Sequence, residues 1–258
     1  MVINKGEKII KTCGIVLLGI KFKESSKILT VYTRELGKIK VMGQGVMKPK
    51  SEGIASTEVF AHSEFDLKKG RNFYYINSVY LIDSYHNLRN SMDTLFLGFY
   101  ILELMDKTIH EEEHNPILFD LLNKALMAIK NGEEPLLIAV AFQLKFVSFM
   151  GYRPQLDICS SCGNTNSQIW RFSSSKGGVF CEDCFTNEAT TITEEQRLIL
   201  TKILLTPFDN LRSLNIKKEN IWKIYNLMLN YISYNFDIKE LKSQAMIRNG
   251  ITSDNHIT

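Results

Sequence analysis

Two Cys-x-x-Cys pairs, Cys159/Cys162 and Cys181/Cys184, stand eighteen residues apart in the stretch ICSSCGNTNSQIWRFSSSKGGVFCEDC. No other feature constrains the chain as tightly, because two short turns can each aim two thiolates at one tetrahedral ion. The donor set predicts one structural Zn2+ per chain. Four thiolates leave no position at which water could be activated, so the metal's expected task is to fold a segment too short to bury a core. Gly163 and Gly177-Gly178 supply tight turns there, and Trp170, Phe172 and Phe180 supply the apolar packing. The alternatives are two disulfides, or thiols that bind nothing.

Disulfides need an oxidising compartment, and the N-terminal end does not read as an export signal. Lys8 and Lys11 precede the apolar run CGIVLLGI, but Lys21 and Lys23 follow at once without a small-residue cleavage site, so the run suits a strand. No apolar run approaches the roughly 18 residues of a membrane span. The expectation is therefore a cytoplasmic protein without a membrane partner, in which reduced Cys-x-x-Cys pairs favour metal. Cys13, the fifth cysteine, is expected to be a small buried hydrophobe.

The net charge of +3 conceals a segregation. Residues 1–80 carry +7, residues 81–158 carry −5 and residues 159–258 carry +1. A basic first third implies one module that faces an anionic partner.

That first third reads as five strands: KTCGIVLLGI, KILTVYT, GKIKVMGQGV, STEVFAHSEFDL and RNFYYINSVYL, separated by turn residues. Five short strands without long helical patterns predict a small barrel such as an OB-fold. From about residue 90 the period becomes helical. SMDTLFLGFYILELMDKTI is one helix; Asn115-Pro116 opens a second as N-cap and first helical residue, and Pro135 opens a third that Gly151 closes. Thr193 with Gln196 offers a capping box for EEQRLILTKILL, and KENIWKIYNLMLNYISYNF is a last long amphipathic helix. The expected class is α+β multidomain: an N-terminal OB-fold barrel over 1–82, then an all-helical domain over 83–258 with an inserted four-cysteine zinc segment at 156–188. The tail NGITSDNHIT is expected to fray.

Two motifs invite enzymatic readings. HEEEH at His110–His114 matches the zinc-protease pattern H-E-x-x-H, with His110 and His114 as ligands and Glu111 as base. That chemistry needs a continuous helix, and Asn115-Pro116 follows immediately, so an acidic solvated loop is the expectation. GQGVMKPKS lacks the G-x-x-x-x-G-K-[ST] order of a phosphate-binding loop, so ATP hydrolysis is not expected. His62, His86 and His256 are scattered and carry no assigned role.

On the barrel, Lys21, Lys23 and Lys27 surround the first turn, Arg34, Lys38 and Lys40 the second, and Lys48 and Lys50 the loop after the third strand. Phe22, Tyr32, Phe60, Phe65, Phe73, Tyr74 and Tyr75 are interleaved among them. Cations that track a phosphate backbone, with rings that stack bases, are what sequence-tolerant single-strand binding requires.

The chain resembles the bacterial recombination mediator family RecO. The resemblance rests on TRELGK at Thr33–Lys38, KPKS at Lys48–Ser51, NPILFDLL at Asn115–Leu122, GYRPQLDICSSCG at Gly151–Gly163 and GGVFCEDC at Gly177–Cys184, with GIVL near the start and LKS near the end. It implies an N-terminal OB-fold, a helical domain carrying a zinc segment, and a non-enzymatic role in DNA repair at the nucleoid. It also implies binding of single- and double-stranded DNA, strand annealing, partnership with RecR and the C-terminal tail of the single-strand binding protein, and loading of RecA. Arg34, Lys38, Lys48 and Lys50 fall on basic motifs of the family, with Lys21, Lys23, Lys40 and Arg71 as further DNA contacts. Gln44 and Met47 stand where the family often has more cations. The tail would need an apolar groove rimmed by a cation; candidates lie in Leu136–Phe149 with Lys145 and Arg153, but such a stripe more often forms core, and no residue is assigned to this site. A zinc-ribbon regulator that reads duplex sequence, and an H-E-x-x-H hydrolase, are the competing readings.

Overall fold

The computed structural model of the chain describes residues 9–184 and 188–251. Residues 185–187 of the cysteine segment and residues 252–258 of the tail, His256 among them, lie outside the described residues. The described residues divide into two compact units: those up to Asn87 with Leu102–Asn123, and Leu88–Ile101 with those from Lys124 onward.

In the first unit, β1 (Ile9–Phe22), β2 (Ser26–Thr33), β3 (Gly37–Gly43), β4 (His62–Lys69) and β5 (Tyr74–Asp83) close into a barrel of order β1-β2-β3-β5-β4, the OB-like architecture expected. Closure depends on the length of β1, whose first half pairs with β4 and whose second half pairs with β2. Where the strand turns between partners, Gly14 faces inward, and a Cβ there would lie 2.5 Å from Val31 Cγ1. Inward alternation places Val16, Leu29, Val31, Ile39, Val41, Phe65, Leu67 and Val79 in one core.

The fourth strand starts later than its sequence pattern suggests. Gly53–Ser56 forms a single helical turn, α1, because the Ser56 and Thr57 hydroxyls donate to the carbonyls of Glu52 and Gly53 and so favour a turn over a ladder. Similarly, β3 stops at Gly43 before Gly45 takes φ +69°, and β5 starts at Tyr74 after Gly70 N donates to Phe73 O at 2.9 Å. Cys13 is half-buried on β1, and burial pushes its thiol pKa up.

Helix α2 spans Met92–Thr108, α3 Pro116–Lys130 and α4 Pro135–Phe149. Asn115 caps α3 as expected, its Oδ1 accepting from Ile117 N at 3.1 Å and Leu118 N at 3.3 Å. Helix α4 is buried continuously from Leu136 to Leu144, which makes it the axis of the second unit. Its N-cap is Glu134, which accepts from Leu137 N at 2.6 Å, and Gly151 closes it at φ +87°. Helix α5 (Glu194–Leu205) carries both bonds of the Thr193–Gln196 capping box. Helix α6 (Lys218–Phe236) packs against α4, and α7 (Lys242–Ile251) takes up the start of the tail that was expected to fray. A three-stranded sheet, β7-β6-β8, joins Trp170–Ser173 (β6) and Gly178–Cys181 (β7) of the cysteine segment to Thr190–Ile192 (β8) just after it.

Candidate nucleic-acid interface and metal centre

The outer wall of β1–β2–β3 is covered at one end and open at the other. At the covered end, Ile15, Tyr32 and Lys38 point outward by alternation yet are buried. The Tyr32 ring lies 6.5 Å from that of Phe119, its hydroxyl donates to Asn115 O at 3.1 Å, and Phe119 meets His62 edge-on. Lys38 donates to the Asp106 carbonyl, and its ammonium lies 3.7 Å from the Asp106 carboxylate. Burial lowers the Lys38 pKa, while the Asp106 carboxylate raises it in part. Arg34 stays exposed but is paired with Asp120 at 2.9 Å.

At the open end, cross-strand rows lie side by side: Leu18, Thr30 and Lys40 in one, and Ile20, Ile28, Met42 and Tyr75 in the next, with Leu18, Ile20 and Tyr75 exposed and Thr30 and Met42 buried between their neighbours. The β1–β2 hairpin continues this face with Phe22 and Lys23, whose ammonium stands 5.5 Å above the Phe22 ring. Phe22, Lys23, Met42, Gln44, Lys48 and Tyr75 surround a depression of about 500 Å³. A second depression, of about 420 Å³, lies further along β3 and is lined by Lys38, Lys40, Lys69, Arg71, Tyr74 and two carboxylates, Glu111 and Glu112. Lys40 donates to Thr30 Oγ1 at 2.7 Å, which holds its stem along the sheet.

The eight cations named from sequence thus separate by environment. Lys23 and Lys48 converge on one depression, and Lys40 and Arg71 on the other. Lys21 is exposed on the opposite side of β1 from Phe22, Lys50 is exposed in the loop after β3 at φ +65°, and Arg34 and Lys38 are committed to aspartates. Of the seven interleaved aromatics Phe22 and Tyr75 are exposed, at 39% and 37%, Phe73 is half-buried at the second depression, and Tyr32, Phe60, Phe65 and Tyr74 are core. The sequence reading missed Lys69, whose position next to a turn concealed it, and the outward apolar row Ile20, Ile28 and Met42. The phase of alternation carries the signal for that row, since residues inward at Leu29 and Val41 send Ile28 and Met42 outward.

In the cysteine segment, the four Sγ atoms of Cys159, Cys162, Cys181 and Cys184 lie within 4.8 Å of one another. Cys162 and Cys181 are 3.7 Å apart, close to the roughly 3.8 Å edge of a tetrahedron with metal–sulfur bonds of about 2.3 Å. The first knuckle is closed by Gly163 N donating to Cys159 O at 3.0 Å, with Gly163 at φ +75°. A Cβ at Gly178 would stand 2.5 Å from Ser160 Oγ and 2.8 Å from Gln155 O, so only glycine lets β7 approach that knuckle. Desolvation opposes ionisation of Cys159, but the backbone amides of Cys162, Cys181 and Ser161 hold its pKa down at about 6. Cys184, crowded by the Cys162 thiol, is pushed up to about 12. Four thiolates at these distances repel, and a cation between them is what lets all four ionise together. The donor set therefore fits a metal ion with no ligand position left over.

Packing ties this centre to the helices of its own unit. Arg197 stacks 4.8 Å from the Trp170 ring, pairs with Glu194, and donates to Leu156 O at 2.7 Å; the Phe172 and Tyr231 rings meet at 5.3 Å.

The H-E-x-x-H geometry is not formed. Helix α2 ends at Thr108, Glu111 forms a β-bridge to Lys38, and Glu112 takes φ +58°, so His110 and His114 do not share a helical face. The apolar stripe Leu136–Phe149 is mostly core rather than groove. Lys145 donates to Leu204 O at 2.7 Å and lies 5.8 Å from the Phe208 ring, and burial lowers its pKa to about 8. Among the described residues no helix is long and apolar enough to cross a membrane.

Comparison with known proteins places these features in a family. Residues 8–85 match the family model described as Recombination protein O N terminal, and residues 89–245 match Recombination protein O C terminal. The chain is 38% identical to a DNA repair protein RecO of Alkaliphilus metalliredigens over 177 residues, 68% of this chain and 72% of the relative. It is 32% identical to that of Pelotomaculum thermopropionicum over 242 residues, covering 93% and 94% of the two chains. For Desulforamulus reducens the identity is 31% over 244 residues, covering 93% and 95%.

Proposed function

Because the chain belongs to the RecO family, with its role in DNA repair and recombination, we propose that the open half of the barrel wall is its DNA-binding surface. One observation carries this reading: Lys23, Lys48, Phe22 and Tyr75 converge on a single depression, with Met42 at its wall and Ser25, Ser26 and Gln44 around it. A strand laid there places phosphates on the ammonium groups and bases on the two rings, which needs no particular sequence. Lys40 and Arg71 extend the track along β3, while Lys21 and Lys50 are exposed outside both depressions and would add only longer-range attraction. Lys38, buried against Asp106, positions the barrel wall rather than touches the strand, whereas Arg34, in an exposed pair with Asp120, stays within reach of a phosphate.

Such a surface binds single- and double-stranded DNA and anneals complementary strands without nucleotide. Pairing is downhill, and part of its barrier is phosphate repulsion that bound cations reduce. The protein then acts as a mediator and not as an enzyme: with RecR it loads RecA onto strands coated by the single-strand binding protein. The acidic tail of that protein is the expected ligand of the second unit. Cys159, Cys162, Cys181 and Cys184 hold one Zn2+, which closes the segment as a scaffold and offers no open position for chemistry.

The test is annealing of complementary oligonucleotides across a salt series, without ATP. If about four cations neutralise phosphates, the log-log slope for single-strand binding is roughly −3. Replacing Lys23, Lys40, Lys48 and Arg71 by glutamate abolishes annealing and most of that slope. Annealing that needs ATP, or that survives the quadruple variant, refutes the reading. Strong discrimination between oligonucleotide sequences would favour a sequence-specific regulator instead.

A further inference from the structure

The barrel has one weak seam. β3 and β5 pair in parallel only at Val41–Tyr74 and Met42–Tyr75, and nearer Gly37 the edge of β3 meets the segment that follows α2. Glu112 N donates to Lys38 O at 2.8 Å, and Glu111 bridges to Lys38. The approach is built into the backbone. Gly37 sits at φ +69°, where a Cβ would stand 2.2 Å from Glu113 O, and Glu112 takes the left-handed conformation at φ +58° despite its side chain. The segment so placed lies beside a depression lined by Lys38, Lys40, Lys69 and Arg71, and Glu112 Oε1 accepts from both Lys69 Nζ and Tyr74 Oη at 3.0 Å. A carboxylate oxygen thus occupies the point where an ammonium and a phenol converge, at the end of a cationic track.

We propose that this seam is a phosphate subsite of the DNA track, held closed by the Glu112 carboxylate until a backbone phosphate displaces it. The inference rests on the barrel wall being the DNA-binding surface. One anion replaces another on the same two donors, so displacement is near balance for an isolated phosphate. A strand already anchored at Phe22, Lys23, Lys48 and Tyr75 presents its next phosphates at high effective concentration and tips that balance. The subsite therefore favours extended strands over free phosphate or single nucleotides.

The experiment measures binding of labelled oligothymidylate to the full chain at low salt. The proteins are the wild type, Glu112→Gln, Glu111→Gln, Lys69→Ala and the Lys69→Ala/Glu112→Gln double variant. Glutamine keeps the backbone bond to Lys38 and the volume of the side chain. Glu112→Gln is expected to tighten binding roughly two- to fivefold, the range set by one exposed ion pair. Glu111→Gln removes the same charge from the same depression, but outside the Lys69–Tyr74 contact, and gains less. In the Lys69→Ala background the Glu112→Gln gain disappears. Equal gains from Glu111→Gln and Glu112→Gln, or a gain that persists without Lys69, would mean general repulsion and overturn the subsite. Unchanged affinity of Glu112→Gln, with wild-type binding intact, overturns the subsite and leaves the DNA-binding reading standing. A wild-type chain that binds no oligonucleotide overturns both.

Discussion

Cys162 and Cys181, nineteen positions apart in sequence, bring their Sγ atoms to 3.7 Å, and Cys181 N donates to Cys159 Sγ at 3.4 Å across the same centre. Two knuckles therefore meet through sulfur, with β6 and β7 pairing Trp170 opposite Cys181 to hold them. Cys162→Ser removes one of four donors and is expected to destabilise the second unit by about 4 kcal/mol or more, the range associated with losing a structural metal. Chelation of the wild type should produce the same loss, and the variant should bind less than one equivalent of zinc by metal analysis. Unchanged urea unfolding in both cases would refute the structural role.

Lys38 and Lys48 are both lysines on or beside β3, yet their substitutions should have opposite signatures. Lys38→Glu sets a carboxylate against Asp106 in a nearly closed site and is expected to cost about 3 kcal/mol of barrel stability, as for a broken buried pair. Lys48→Glu lies on the exposed rim and should leave the unfolding midpoint within experimental error while weakening oligonucleotide binding. Thermal unfolding and binding measured on the same two preparations separate these roles. Full stability in Lys38→Glu would mean that its ammonium is free to meet DNA.

How much of this was legible beforehand depends on the physics involved. Local chemistry read well: the Asn115 cap, the Thr193–Gln196 box and the cysteine spacing each express an interaction within a few residues or a fixed donor geometry. The barrel read well too, because alternation and turn residues repeat five times. Which basic residues face solvent did not. Lys38 and Lys40 are two apart on one face of β3, and only the packing of Asp106 and its neighbours, far away in sequence, buries the first and leaves the second half-open. Tyr74 and Tyr75 pose the same problem, since adjacent strand residues point to opposite sides and only the register fixes which one enters the core. The β-sheet of the cysteine segment went unread because its strands are three or four residues long.

Lys145 makes stability depend on pH in a defined direction. Its folded pKa is lowered to about 8 from an ordinary 10.5, by burial. Between those values the unfolded chain holds a proton that the folded chain has released, so this group's contribution to stability rises as pH rises from about 8 to 10.5. The side chain keeps partial access to solvent, which limits the effect to about 1 kcal/mol. Because tyrosines and other lysines titrate in the same window, the measurement is a difference: urea midpoints of wild type and Lys145→Met at pH 7.5 and pH 10. The wild type should gain on the variant at the higher pH, and a gain by the variant would reverse the assignment.

Phe22 and Tyr75 provide the sharpest check on how the strand is held. Both rings border the depression that Lys23 and Lys48 rim, and the Lys23 ammonium already rests 5.5 Å from the Phe22 centroid. A base stacked on such a ring contributes about 1–3 kcal/mol without counterion release, whereas each phosphate on an ammonium releases about 0.7 of a counterion from a single strand. Phe22→Ala and Tyr75→Ala should each lower affinity at every salt concentration by a similar factor, leaving the log-log slope unchanged. Lys23→Ala and Lys48→Ala should flatten the slope by roughly 0.7 each and lose their effect as salt rises. Phe22→Ala also removes the partner under Lys23, so its loss should shrink when Lys23 is already alanine, by an amount a double-mutant cycle measures directly. Parallel shifts for all four variants, or slopes that follow the rings rather than the lysines, would place the strand on another face of the barrel.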